Sequence, residues 1–203
     1  KVQFVRVRDI KGSNKLWVDG ISQVFRPTDI TDVVIKDGKQ KQQSNIKEAI
    51  GEVPADIERT YMKLLGLSSH DFSAMRELIG APKKVLCARN WNGGDYINAT
   101  LLYDNDAICT FETGSYDILK FDASIEIFGT NKVVKIQYDT PYIRNLPATL
   151  YVTENIGGRL VERKVTSSYE DPYLIELKYF YDCITNNMKP KTNAEDYKED
   201  MKI

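Results

Sequence analysis

The only histidine of the chain, His70, stands in the stretch GLSSHDFSAMRELIG, residues 66–80. Histidine is the side chain whose ordinary pKa lies nearest neutral pH, so one placed at a cleft can exchange protons there. Ser68 and Asp71 are three apart, the spacing of a reciprocal helix cap. That spacing predicts a helix opening near Ser68, with His70 at or just before its N-terminus. The positive end of a helix disfavours imidazolium, and a neutral imidazole can accept a proton from an alcohol. The chemistry indicated is general-base catalysis; the plainer alternative is a histidine that only hydrogen-bonds near a cap.

Six other residues fall in loops or at strand ends, where side chains can meet a small ligand: Arg8, Trp17, Arg89, Trp91, Tyr142 and Arg144. Each also suits ordinary packing or solvation. Other chemistries fail on inventory. One histidine and three scattered cysteines do not make an ordinary zinc site. The nucleophile elbow GxSxG is absent, as are GxGxxG and GxxxxGK[ST], so neither a dinucleotide nor a triphosphate cradle is expected in these residues. Gly93-Gly94 and Gly157-Gly158 read as turns between strands, and Asp104 with Asp106, or Glu195 with Asp196, as solvent-facing carboxylates.

Periodicity gives the scaffold around these residues. Residues 2–7 alternate as a strand. Residues 8–51 are rich in turn formers (RDIKGSNKLWVDG, KDGKQKQQS) and are expected to be a long loop or lid. Helices are expected from Pro54 through Leu65 and over 71–78, the latter stopped by Gly80 and Pro82. Period two then takes over at 84–91, 96–103, 107–113, 123–128, 133–138, 149–153 and 159–165. Closely spaced strands with short connections favour antiparallel pairing. In the second of these strands Ile97, Ala99, Leu101 and Tyr103 form a core side. Tyr96, Asn98, Thr100 and Leu102 form a mixed side that suits a covering partner. Helices return over 172–187 and after an N-cap at Thr192 or Asn193. The whole is expected to be one α+β domain: a large, open, mainly antiparallel sheet with helices on one face.

Composition narrows the class. Net charge is −1, with no long block of one sign, so the basic footprint of a nucleic-acid binder is missing. No apolar run reaches the ~18 residues of a membrane helix. Cys87, Cys109 and Cys183 are widely spaced without CxxC and read as reduced thiols of a cytoplasmic protein. The chain opens KVQFVRV in strand pattern without Met and closes in helical pattern, which suggests a piece of a longer polypeptide.

Three stretches together carry a resemblance. LLGLSSHDFSAMRELIG-APKKV resembles the second conserved segment of the Gfo/Idh/MocA oxidoreductases. ASIEIFGTNKVVKI resembles that family's sheet hairpin, and PYLIELKYFYDCITNNMKPKTNAEDYKEDMKI its closing helices. The resemblance implies a C-terminal domain that shapes the substrate site and assembles through its open sheet face into a homo-oligomer. It also implies a Rossmann domain, absent from this chain, that binds NAD or NADP. The implied reaction is hydride transfer between a nicotinamide and a sugar, polyol or related hydroxyl compound, with His70 on the reacting hydroxyl. Many members carry Asp four residues before that histidine; here the position is Gly66. Lyase-like and NAD-dependent glycosidase chemistry also occur in the family, and a non-catalytic sheet-based binding module is the other reading.

Overall fold

The computed structural model describes residues 1–203, all but the side chain of Leu16. Its centre is one eight-stranded open sheet in the order β2-β3-β4-β1-β5-β6-β7-β8. The strands are β1 (Val2–Gly12), β2 (Lys84–Trp91), β3 (Tyr96–Leu102), β4 (Ile108–Tyr116), β5 (Phe121–Gly129), β6 (Lys132–Tyr138), β7 (Thr149–Ile156) and β8 (Arg159–Thr166). All neighbouring pairs are antiparallel except β1 with β4. The α+β architecture with a mainly antiparallel sheet is therefore observed as expected. The β7–β8 hairpin turns on Gly157 and Gly158, both at positive φ, the conformation a two-residue hairpin loop demands and glycine adopts without strain.

Six helices accompany the sheet: α1 (Asn14–Ile21), α2 (Asp32–Ile50), α3 (Ala55–Lys63), α4 (Ser69–Ile79), α5 (Pro172–Thr185) and α6 (Ala194–Asp200). The core lies between one sheet face and α4. Val5 and Val7 of β1, Ala99 and Leu101 of β3, Cys109 and Phe111 of β4 and Ile125 of β5 pack against Phe72 and Met75. The rings of Phe72 and Phe111 lie 4.9 Å apart, centroid to centroid. Ile97, Ala99, Leu101 and Tyr103 are all buried, as their alternation predicts. Arg76 fastens α4 to α6: its Nε donates to Asp200 Oδ1 at 2.6 Å and its Nη2 to Asp196 Oδ2 at 2.9 Å. Asn193 caps α6 by accepting from the backbone N–H groups of Glu195 and Asp196. Cys87, Cys109 and Cys183 are free thiols.

Two expectations need correction. Residues 8–51 are not a long loop: β1 continues to Gly12, and α1 and α2 take up most of the remaining segment. The 19 residues of α2 include four lysines and three glutamines, good helix formers whose summed preference outweighs the ~1 kcal/mol cost of Gly38. The helix is exposed nearly all round, with Ile46 its one buried residue and its apolar residues confined to the two ends and Ile46, so no apolar period announced it. The second correction concerns the helix start at Ser68. A π-helical turn, Leu64–Ser68, joins α3 to α4, and Ser68 has helical backbone angles and no capping bond. His70 therefore sits within one continuous helical run and not at a free helix N-terminus.

Candidate functional site

Cross-strand register sorts the expected site residues by sheet face, because directly paired residues project to the same side. Arg89 pairs with Asn98, Asn98 with Glu112, and Glu112 with Arg8. Val7 and Asp9, the neighbours of Arg8, are buried on the helix side. Arg8 and Arg89 thus lie on the open face, away from the helices. Arg8 is held there by Glu112 at 2.9 Å and Asp122 at 3.5 Å. Trp91 shares that face and stacks on Tyr96, ring centroids 5.5 Å apart and planes 12° apart. The stack needs Gly114 beneath it: a Cβ there would lie 2.4 Å from Tyr96 Cδ1.

The others are on the helix side or in loops. His70 is exposed on α4. Trp17 is part-buried on α1, its indole N–H without a partner. Arg144 is well exposed, its Nε 3.7 Å from Asp171 Oδ2. Tyr142 is tied to β1 through Asn14, whose Nδ2 donates to the Tyr142 hydroxyl at 2.9 Å and whose Oδ1 accepts from Lys11 Nζ at 2.5 Å. The seven residues do not converge on one point.

What does converge is a polar cluster that sequence reasoning missed. Asp9 pairs with Thr113 on β4 and with Ala123 on β5, and Ala123 pairs with Tyr138 on β6. This row faces the helices. Asp71 reaches it from the first turn of α4, and the Tyr138 hydroxyl donates to Asp71 Oδ1 at 2.5 Å. Asp9, Ser68, Asp71 and Thr113 are all essentially closed to solvent. Two residues along β1, Lys11 marks the edge of the cluster. Lys63 of α3 donates to Ser115 Oγ at 2.7 Å, opposite Lys11 in register, and lies 3.8 Å from Asp95. A signal was present: VRVRD continues the buried alternation Val5, Val7 straight into Asp9, so a carboxylate occupies a core position.

Burial sets the electrostatics. Removal from water raises both Asp9 and Asp71 above the ordinary carboxylate range, Asp71 further because Asp9 is beside it. Desolvation raises Tyr138 in the same sense, and Asp71 adds to it. Lys11 and Lys63 are lowered by desolvation. The cluster is closed: the hollow of about 500 Å³ between α2 and α3 and the one of about 300 Å³ on the open face are lined by other residues. Asp71 therefore works inside the domain, while His70, one residue away, faces out. Among the described residues no group of three or more His, Cys, Asp or Glu is placed to hold a metal.

The same fold makes up about half of several solved structures. The chain superimposes with a TM-score of 0.62 on a Desulfitobacterium hafniense protein assigned as an NADPH-dependent oxidoreductase, at 15% identity over 99% of this chain and 52% of that one. UDP-N-acetylglucosamine 3-dehydrogenase GnnA from Acidithiobacillus ferrooxidans gives 0.60 at 13% identity, covering 99% and 50%. KijD10, a 3-ketoreductase from Actinomadura kijaniata in complex with TDP-benzene and NADP, gives 0.58 at 11%, covering 98% and 49%. The likeness is one of fold, and the chain spans about half the length of these structures. No family model matches the sequence, and no curated protein matches it.

The turn after β1 does not fit the pyrophosphate of a dinucleotide. The strand-to-helix turn after β1 holds a single glycine, Gly12, and the space above its Cα is closed: a Cβ there would meet Ile118 O at 2.2 Å. A pyrophosphate needs open backbone at a glycine-rich turn that leads into a helix.

Proposed function

We propose that this chain is the substrate-side domain of an NAD(P)-dependent oxidoreductase acting on a sugar, polyol or related hydroxyl compound. The observation that carries the reading is coverage: nearly all of this chain matches about half of several such enzymes. The dinucleotide, which supplies the redox chemistry, belongs to polypeptide outside these residues. A second feature supports a larger protein. α5 is apolar nearly all round, with Tyr173, Leu174, Ile175, Leu177, Phe180 and Ile184 exposed, whereas helices of that kind are normally buried.

Within this domain the residues divide the work. His70, exposed and one residue from the buried Asp71, takes or returns the proton of the substrate hydroxyl. Tyr142, Trp17 and Arg144 flank the end of β1 from the next helix and from the loop after β6, where they contact substrate. Arg8, Arg89 and Trp91 belong to the open sheet face, through which copies of the domain associate, around Tyr96, Asn98 and Leu102. In the intact enzyme His70→Asn is expected to lower kcat by roughly 10²-fold. Turnover within a factor of about two of the parent removes His70 from the mechanism.

The second reading is a non-catalytic binding module. It is favoured by Gly66, which leaves open space one helical turn before His70 where the resemblance expects a carboxylate. Titration of the intact protein with NADH and NADPH separates the two readings: saturable binding with turnover of a polyol supports the enzyme, and no binding supports the module.

A further inference from the structure

The buried cluster contains four polar atoms with no hydrogen-bond partner: Asp9 Oδ1, Asp71 Oδ2, Ser68 Oγ and Thr113 Oγ1. Two of them belong to Asp9 and Asp71, residues 3% and 0% exposed; Asp9 stands in the cross-strand row Asp9–Ala123–Tyr138, and Tyr138 of that row binds Asp71, which brings both carboxyls to the same buried layer. Two ionised carboxylates side by side in a dry interior repel and leave both oxygens without a donor. One proton between them removes a charge and partners both oxygens at once. Tyr138 already donates to the other oxygen of Asp71, so the unpartnered one is the oxygen left to receive it.

The positions of the two residues give the pair a task. Asp9 is on the central strand, and Asp71 is on the helix that carries His70. We propose that Asp9 and Asp71 share a single proton and that this acid–carboxylate pair is a pH-dependent clamp between β1 and the π-turn–α4 segment. Neither residue touches substrate; both are positioning residues for the exposed face next to them. The groups facing the pair are Lys11 on its own strand, Lys63 from α3, Ser68 from the π-helical turn, Thr113 from β4 and Tyr138 from β6. The two lysines favour the ionised form of Asp9, and Tyr138 favours the ionised form of Asp71. Loss of the shared proton places a second negative charge in the joint, and the helix segment loosens from the strand. The proposal concerns this chain alone and stands or falls without any cofactor or substrate.

Two measurements on the 203-residue chain test it. Infrared spectroscopy near neutral pH is expected to show the carbonyl stretch of a protonated carboxylic acid that disappears in Asp71→Asn. Hydrogen exchange is expected to show protection factors of the amides of residues 64–75 falling about tenfold or more between about pH 6 and about pH 9. In Asp9→Asn an amide N–H takes the place of the shared proton, so protection there should stay flat across that range. In Tyr138→Phe the fall should move to higher pH, since a donor to the ionised form is gone. Absence of the acid band in the parent chain, or protection that does not vary with pH, overturns the clamp. The parent chain alone decides this, so a variant that fails to fold leaves the answer intact.

Discussion

His70 and Asp71 are adjacent in sequence and opposite in environment. One looks out from α4, and the other is sealed beneath it against Tyr138 and Asp9. The exposed residue can meet a ligand; the buried one governs how α4 is held. Linkage gives the buried residue a measurable consequence. The folded-state carboxyls of Asp9 and Asp71 lie above their unfolded values near 3.9, raised by desolvation. Between those limits the folded chain binds more protons than the unfolded one, so their contribution to stability is full in acid and is lost as pH rises through the raised values. Thermal unfolding should show Tm falling from about pH 5 to about pH 9, and Asp71→Asn should flatten that fall. A parent Tm that rises over the same window would contradict the placement of the pair. At this scale the sequence was half legible. The alternation Val5, Val7, Asp9 carried the signal of a carboxylate in the core, but it was lost when the strand was ended at Val7. Its partner could not be found the same way, because Asp71 read equally well as a capping residue.

At the scale of elements, strands were the readable part. All eight were found, though β1 runs on to Gly12, past where period two ended it; the alternation is cleanest in β3 and β4, where one face is buried and the other is not. Helices without an apolar stripe were not readable: α2 has no apolar period along its length and was hidden by turn-forming residues within it. The π-helical turn was hidden for another reason. Gly66 and the two serines after it resemble a break between helices, and only packing of Phe72 and Met75 on the sheet decides that the helix runs on. The junction of α4 with α6 makes a prediction of its own. Asp200 is buried and paired with Arg76, so Arg76→Ala strands a carboxylate and should destabilise the chain by about 3 kcal/mol. Urea denaturation measures it; a loss under about 1 kcal/mol, the range of exposed ion pairs, would show that α6 is not anchored by this contact.

The molecule as a whole presents two surfaces of different character. The open sheet face carries paired charges, Arg6 with Glu126 and Arg8 with Glu112 and Asp122, beside the Trp91–Tyr96 stack. α5 is a continuous apolar surface, of the kind that marks a contact with other polypeptide. If the sheet face is the seat of self-association, light scattering should find the chain associated. That association should survive Leu177→Glu combined with Phe180→Glu. Both residues are more than half exposed, so the double variant should also change stability by no more than about 1 kcal/mol. A parent chain that stays monomeric at high concentration removes the sheet-face interface; association abolished by the double variant moves it to α5.

β1 lies mid-sheet, yet both its neighbours come about a hundred residues later in the chain, as Phe4 opposite Ile108 and Phe128 shows. As a ribosome releases this polypeptide, that strand must wait unpaired until β4 has emerged, and it gains its second neighbour only when β5 follows. The hairpins on either side can zip from local contacts, but joining them requires a strand from far back in the chain to be held between them, at the entropic expense of a very long loop. Asp9 rides on that segment, so the acid pair can form only when the two halves of the sheet close upon it.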